Sequence, residues 1–229
     1  MNKILLPALL ATLSLPLVTF ADDTANANAN ANDKAPSIAT DTKGNPIGSG
    51  IVQDPSNPVE YVIGDLHFGG VVFWLDPDSK PPLQHGLAAH IVDQPGGFAF
   101  AWDTNNTFSV IGADGNDIYA GKNKADGNTS RMASMLGINS PAATTCVKLN
   151  VQQYNDWYLP SLVELAILYD LRSTINDTAT ANGGDIFQAS RYWSSTEDGQ
   201  NFARYYNFAG YPDYILKSSK LAVRCIRAF

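Results

Sequence analysis

The pattern of apolar and polar positions divides the chain into three parts. Residues 4–20 are an apolar run, residues 22–58 are polar without any hydrophobic period, and regular patterns begin near Val59. Short apolar or alternating runs in the third part predict β-strands, because successive side chains of a strand point to opposite faces. In chain order, the predicted strands span residues 59–63, 69–75, 86–92, 191–196, 202–208, 214–217 and 221–228.

Residues 156–165 predict a turn from extended chain into a helix. Pro160 disfavours helical geometry for the residue before it, so the strand through Trp157 ends there. Ser161 is a suitable helix N-cap, and Glu164 lies at the spacing that completes a capping box. Apolar residues at helical spacing then predict a helix of about four turns, which ends in a loop at residues 174–184. A second, weaker helix is predicted at residues 122–136, with Gly137 as its C-cap.

This order of elements indicates an exported α+β protein. Strands, then helices, then strands again predict one α+β domain over residues 59–229. Residues 1–21 have the pattern of a secretory signal peptide, and residues 22–58 form an Ala/Asn-rich spacer too polar to fold. After signal cleavage we expect no transmembrane segment. The mature protein is therefore expected in the periplasm, at the cell surface or outside the cell.

Three motifs in the second half carry a family resemblance. The chain has DWYLPSLVEL at residues 156–165, YWSSTE at 192–197 and VRCIRAF at 223–229, with Cys146 before them. In this order they resemble the bacterial Lcl C-terminal domain family, named for the Legionella collagen-like adhesin. The resemblance implies a C-type-lectin-like fold, with two helices, mainly antiparallel short strands and long irregular loops, and it implies binding rather than catalysis. We expect a structural role for the motif residues Trp157, Pro160, Ser161, Glu164 and Trp193.

Charge and aromatic composition point to one candidate binding surface. The 229-residue chain is 45% hydrophobic and has a formal net charge of −7, which disfavours nucleic acid as a partner. Residues 186–229 differ, because six Arg and Lys side chains there face three acidic ones, a local +3. Tyr and Arg are favoured at interfaces, although a solvated edge strand would explain the same residues. The candidate ligand-binding residues are Arg204, Tyr205, Tyr206, Tyr211, Tyr214, Lys217 and Lys220.

The two cysteines are expected to form a disulfide. Cys146 and Cys225 are the only cysteines of the chain, and exported proteins fold in oxidising compartments. Two buried free thiols are the alternative, since neither residue lies in a reactive motif.

Metal and catalytic sites receive less support. Residues 114–128 are rich in Asp and Asn and offer oxygen ligands for Ca²⁺, but they lack EF-hand spacing, and turn formation explains them equally well. His85 and His90 would face opposite sides of a strand, which suits a zinc pair poorly. Glu164 and Glu197 are the best acid–base pair on offer, yet each has a structural explanation. We expect no metal, no cofactor and no catalytic residue.

The sequence therefore predicts an exported, adhesin-like binding module. Its expected partners are glycans, sulfated polysaccharides in particular, or extracellular and surface proteins, and an oligomer is possible. The first alternative is a periplasmic or envelope structural protein that binds itself. A less favoured alternative is an enzyme of the formylglycine-generating type, whose fold is similar but whose paired active cysteines have no counterpart here.

Overall fold

The computed structural model describes residues 60–95, 100–105, 108–124 and 126–229. The signal peptide and spacer predicted for residues 1–58 lie outside the described residues. Within the described part the fold is α+β, with four α-helices where two were expected, and three antiparallel sheets. The strands are β1 (Leu66–His67), β2 (Gly70–Leu75), β3 (Gly86–His90), β4 (Phe100–Ala101), β5 (Arg191–Asp198), β6 (Phe202–Asn207), β7 (Tyr211–Leu216), β8 (Lys220–Leu221) and β9 (Ile226–Ala228). The helices are α1 (Asn128–Met135), α2 (Pro141–Val147), α3 (Leu162–Asp170) and α4 (Arg172–Ala181), with a short 3₁₀ turn at Gly137–Asn139.

The first sheet joins early strands of the described chain to its last strand, in the order β1-β2-β3-β9. Its central strands, β2 and β3, are the predicted runs at 69–75 and 86–92, and Val71, Val72 and Phe73 are fully buried. The strand predicted at 59–63 is wrong for the described residues 60–63. Asp65 explains this, because its N–H donates to the carbonyl of Val62 and its carboxylate accepts from the N–H of Val62, which closes a turn there.

The helices differ from the prediction at their boundaries. Helix α1 begins only at Asn128, because Asp126 has a φ of 72° and Gly127 is the extended N-cap. Gly137 follows the helix with a φ of 56°, as a C-cap glycine should. The loop predicted at 174–184 is wrong, since α4 occupies most of it. Thr and Asn disfavour helix in isolation, but Ile175 and Ala179 are four residues apart and fully buried, so packing overrides propensity.

The corner at residues 157–165 joins the helices to the first sheet. Tyr158 and Ile226 exchange two backbone hydrogen bonds, of 2.8 and 3.0 Å. The predicted capping box is present: the hydroxyl of Ser161 accepts from the N–H of Glu164, whose carboxylate accepts from the N–H of Ser161. Trp157 and Trp193 are fully buried in the same hydrophobic cluster. The chain direction at this corner is therefore fixed by backbone and side chain together.

The last strands connect the sheets and carry the disulfide. The strand predicted at 221–228 is divided into β8 and β9, and the residues between them bond to β3, β5 and the loop after β3. Cys225 lies just before β9 and is bonded to Cys146 of α2, as expected. Each of the four α-helices has ten residues or fewer, and none in the described part of the chain could span a bilayer.

Candidate functional site

The β5-β6-β7 sheet has two unlike faces. Antiparallel pairing places Ala203 opposite Ile215 and puts both, with Tyr205, on the face that packs into the core around Trp193. The outer face carries the alternate residues: Phe202 pairs with Leu216, Arg204 with Tyr214 and Tyr206 with Pro212. The side chains of an antiparallel pair lie on the same face, so these six form one continuous surface.

Helix α3 covers one end of this outer face. Tyr169 stacks on Tyr206 with ring centroids 4.8 Å apart, and the guanidinium carbon of Arg172 lies 4.0 Å from the centroid of Tyr169. Tyr206 is consequently only 9% exposed. No described helix covers the other end, and its residues Phe202, Arg204, Tyr214 and Leu216, with Asp198 beside them on β5, are called the open face below.

The open face combines an exposed apolar surface with an ion pair. Tyr214 is 50% exposed and Leu216 46% exposed. Nη2 of Arg204 lies 2.8 Å from Oδ1 of Asp198, and the Arg204 guanidinium carbon is 5.5 Å from the centroid of the Tyr214 ring. The ring of Phe202 meets that of Tyr214 edge to face at 5.4 Å. Arg204 and Phe202 therefore both lie next to Tyr214, half of whose surface stays accessible.

The four tyrosines predicted to bind a ligand lie on two different faces of the sheet. Tyr206 and Tyr214 lie on the outer face, whereas Tyr205 and Tyr211 lie at positions of opposite parity on their strands. Tyr205 is 5% exposed, under the guanidinium of Arg191 and with its hydroxyl 3.4 Å from Asp213. Tyr211 is exposed on the other side of β7. Lys220 is exposed on β8, which pairs with β4 and not with the β5-β6-β7 sheet.

The proposed contact residue Lys217 is buried, which corrects its assignment to the binding surface. Its side chain has no exposed surface, and Nζ lies 2.6 Å from Oε1 of Glu197 and 3.1 Å from the carbonyl of Ser109. The ammonium also lies 4.8 Å from the centroid of the Trp102 ring. A ligand cannot reach this amine while the domain is folded, so Lys217 has a structural role.

Long-range ion pairs also reduce the expected positive charge. Arg224 pairs with Asp93 and Arg227 with Asp156, at 2.6 and 2.7 Å. Counting these two carboxylates with residues 186–229 lowers the local charge from +3 to +1. The final strands are therefore not the basic strip that the sequence suggested.

Comparison with known proteins identifies the family of this fold. A family model described as the Lcl C-terminal domain matches residues 99–227, more than half of the chain. The chain belongs to this family. The match includes the open face and both cysteines of the disulfide.

Other comparisons are more distant. One solved structure similar to this Lcl C-terminal domain protein is a fimbrial protein from Bacteroides ovatus, at 15% sequence identity and a TM-score of 0.48. The alignment covers 69% of this chain and 43% of the fimbrial protein, so the chain spans less than half of that protein's length. A search of curated proteins gave no match.

Two buried glutamates of the Lcl C-terminal domain bind the long loop between β4 and α1. The carboxylate of Glu197 accepts from the backbone N–H groups of Ile111 and Gly112. That of Glu164 accepts from the N–H of Tyr119 and the hydroxyl of Tyr158, in addition to the capping contact. Burial raises the pKa of the Glu164 carboxyl, while the hydrogen bonds that it accepts oppose the rise.

The loop packs closely against Glu164. A Cβ at Gly121 would lie 2.5 Å from Oε2 of that carboxylate, so only glycine fits. Glu164 and Glu197 are both buried and bind different parts of one loop, so each carboxylate has a structural role.

The Asp/Asn-rich segment is organised by hydrogen bonds within the protein. The side-chain amide of Asn128 accepts from the N–H of Gly115 and donates to its carbonyl, which closes the turn. Within the described ranges, no three His, Cys, Asp or Glu side chains come together in a way that would hold a metal ion. The Nδ1 atom of His90 is 2.8 Å from the carbonyl of Val92, which satisfies one ring nitrogen.

Sequence reasoning missed three members of the open face. Net charge and tyrosine content point to basic and tyrosine residues, and give no weight to Asp198, Phe202 and Leu216. Their parity was a usable signal, since Leu216 lies two residues from Tyr214 and Phe202 two residues from Arg204. The sequence alone does not give the register of β6 against β7. That register brings the alternate residues of both strands onto one surface.

Proposed function

We propose that this Lcl C-terminal domain is an exported, adhesin-type binding module with a C-type-lectin-like fold, and that it binds glycans or surface proteins through its open face. The observation that carries the proposal is the half-exposed Tyr214 ring beside the Arg204–Asp198 pair. Exposed aromatic and Arg side chains on a rigid sheet are typical of interaction surfaces. They lie on regular strands, so little order must be gained on binding.

Export is supported by the chemistry of the cysteines. Cys146 and Cys225 are both fully buried and bonded to each other. Structural disulfides persist in oxidising compartments and are rare in the cytosol. Together with the signal-peptide pattern at residues 1–21, this supports a location at the cell surface or in the periplasm.

A binding role also agrees with the use of the buried acids. Glu164 and Glu197 each accept backbone N–H groups and serve to hold the loop. Neither carboxylate opens onto the open face. The proposed function is therefore binding without catalysis.

Self-association by strand addition is less well supported than binding through the face. β7 is an edge strand among the described residues, and the pairing pattern turns the backbone groups of residues 212, 214 and 216 away from β6. Pro212 has no N–H, the N–H of Tyr214 donates to the carboxylate of its neighbour Asp213, and the carbonyl of Leu216 accepts from Ser219. Such an edge resists pairing with another strand.

The test is an array of glycans and matrix proteins probed with purified protein at low and high salt. Tyr214→Ala is the informative variant, and Tyr211→Ala is its matched control, because Tyr211 is 54% exposed on the same strand but on the other side. We expect Tyr214→Ala alone to lose the array signal while both variants keep the wild-type melting temperature. Equal loss in both variants, or in neither, contradicts binding at the open face, and no signal for the wild type contradicts the function.

A further inference from the structure

The open face has the composition of a site for a neutral sugar rather than for a polyanion. The guanidinium of Arg204 has five N–H donors, and its one side-chain hydrogen bond among the described residues goes to Asp198. Asp198 offers acceptor oxygens and is 28% exposed, while Arg204 is 37% exposed. A donor group and an acceptor group therefore lie side by side at the margin of an accessible aromatic ring.

The local charge disfavours a dense polyanion. The positive charge of Arg204 is compensated by Asp198, and the amine of Lys217 is sealed inside the protein by Glu197. A sulfated chain gains affinity when several free cations of the protein replace its counterions and release them into solution, and a compensated pair supplies no free cation. It would also meet the carboxylate of Asp198 at close range.

We propose that the open face binds a neutral pyranose unit of an oligosaccharide or polysaccharide. The apolar C–H face of the sugar packs on Tyr214 and Leu216. Neighbouring hydroxyl groups accept hydrogen bonds from Arg204 and donate hydrogen bonds to Asp198. This inference rests on the proposed function and names the ligand class for the same site.

The size of the open face fits one or two sugar rings. Tyr214 and Leu216 are two residues apart on one strand, which corresponds to about 7 Å, and Phe202 and Arg204 lie on the adjacent strand about 5 Å away. A Tyr ring presents a flat apolar surface with few rotatable bonds, so stacking a sugar on it costs little side-chain entropy.

The experiment is isothermal titration of the purified protein with cellohexaose, mannohexaose and chitohexaose, and with a heparin hexasaccharide as the anionic probe. Each titration is run at about 50 mM and about 500 mM NaCl, where screening differs strongly. We expect at least one neutral probe to bind with an affinity that changes less than about twofold with salt, because no counterions are released.

Variants assign that binding to the open face. Tyr214→Ala should weaken it by at least about tenfold, whereas Tyr214→Phe keeps the ring and should stay within about threefold of wild type. Asp198→Asn and Arg204→Gln should each weaken it, since each removes a charged hydrogen-bonding partner. Tyr211→Ala is the control and should have no effect.

The outcomes separate this inference from the proposed function. Binding of heparin alone, with a steep loss at high salt, overturns the neutral-sugar inference but leaves a glycan-binding adhesin. Loss of neutral-sugar binding in Tyr211→Ala as well as Tyr214→Ala also overturns the inference. If the wild type binds only matrix proteins on the array, the inference of sugar binding is wrong. If it binds neither glycans nor proteins, the proposed function itself is wrong.

Discussion

The buried pair of Lys217 and Glu197 gives the sharpest test of the structure. Both side chains are essentially without exposed surface, at 0% and 1%. Lys217→Met keeps the length and the apolar stem of the side chain but removes its charge. Glu197 then remains buried with only the N–H groups of Ile111 and Gly112 to satisfy a full negative charge.

The expected loss of stability is large. Removing one partner of a buried ion pair costs about 3–5 kcal/mol, because the other charge is left desolvated. For a domain of this size, about 2–4 °C of melting temperature is lost per kcal/mol, so the melting temperature should fall by roughly 6–20 °C. Lys220→Met is the matched control, since Lys220 is exposed three residues later and should change stability by less than about 0.5 kcal/mol.

The assay is urea unfolding followed by tryptophan fluorescence, combined with a double-mutant cycle. Glu197→Gln alone should also destabilise, and the double variant should lose less than the sum of the single losses, with a coupling of about 1–3 kcal/mol. Amide hydrogen exchange at residues 108–112 should become faster in Lys217→Met, since the loop loses its attachment. A loss below about 1 kcal/mol with unchanged exchange would contradict a buried ion pair between Lys217 and Glu197.

Three further predictions concern stability. Replacing Cys146 and Cys225 together by Ala should cost about 4–5 kcal/mol, because the disulfide closes a loop of 79 residues, and intact-mass measurement after alkylation should find no free thiol in wild-type protein. Trp157→Ala should cost about 3–5 kcal/mol as a core truncation and Ser161→Ala about 1 kcal/mol as a lost cap, in chemical unfolding. Burial lowers the pKa of His90 below 6.5, so the wild type should lose stability relative to His90→Gln as pH falls below 6.5. Unfolding curves from pH 8 to about pH 5 measure this, and a stability difference that does not change with pH would contradict it.

Short sequence patterns predicted those elements that a few neighbouring residues are enough to identify. The buried strands β2 and β3 read as short apolar runs, and the capping box at Ser161 follows from residues three positions apart. Helix α4 was missed for the opposite reason. Its sequence is rich in Thr, Asn and Asp, and the burial of Ile175 and Ala179 stabilises it as a helix.

The candidate site was predicted in part, and the wrong assignments have one physical origin. Arg204 and Tyr214 were selected by residue type and do meet. Lys217 was selected for the same reason, but a Lys is almost never buried unless it is paired, and its partner Glu197 lies 20 residues away. Pairing across a sheet depends on register, which composition does not contain.

The buried pair and the open face are two sides of the same three strands. Glu197 precedes Asp198 on β5, and Lys217 follows Leu216 at the end of β7, so the alternation of a strand puts the ion pair inside and its neighbours outside. The bond of 2.6 Å between Lys217 and Glu197 spans β6 and fixes β5 relative to β7. The positions of Asp198 and Leu216 around Tyr214 therefore depend on a contact that no ligand touches. It follows that Lys217→Met should weaken ligand binding through displaced strands, whereas Tyr214→Ala should weaken it in a protein of unchanged stability.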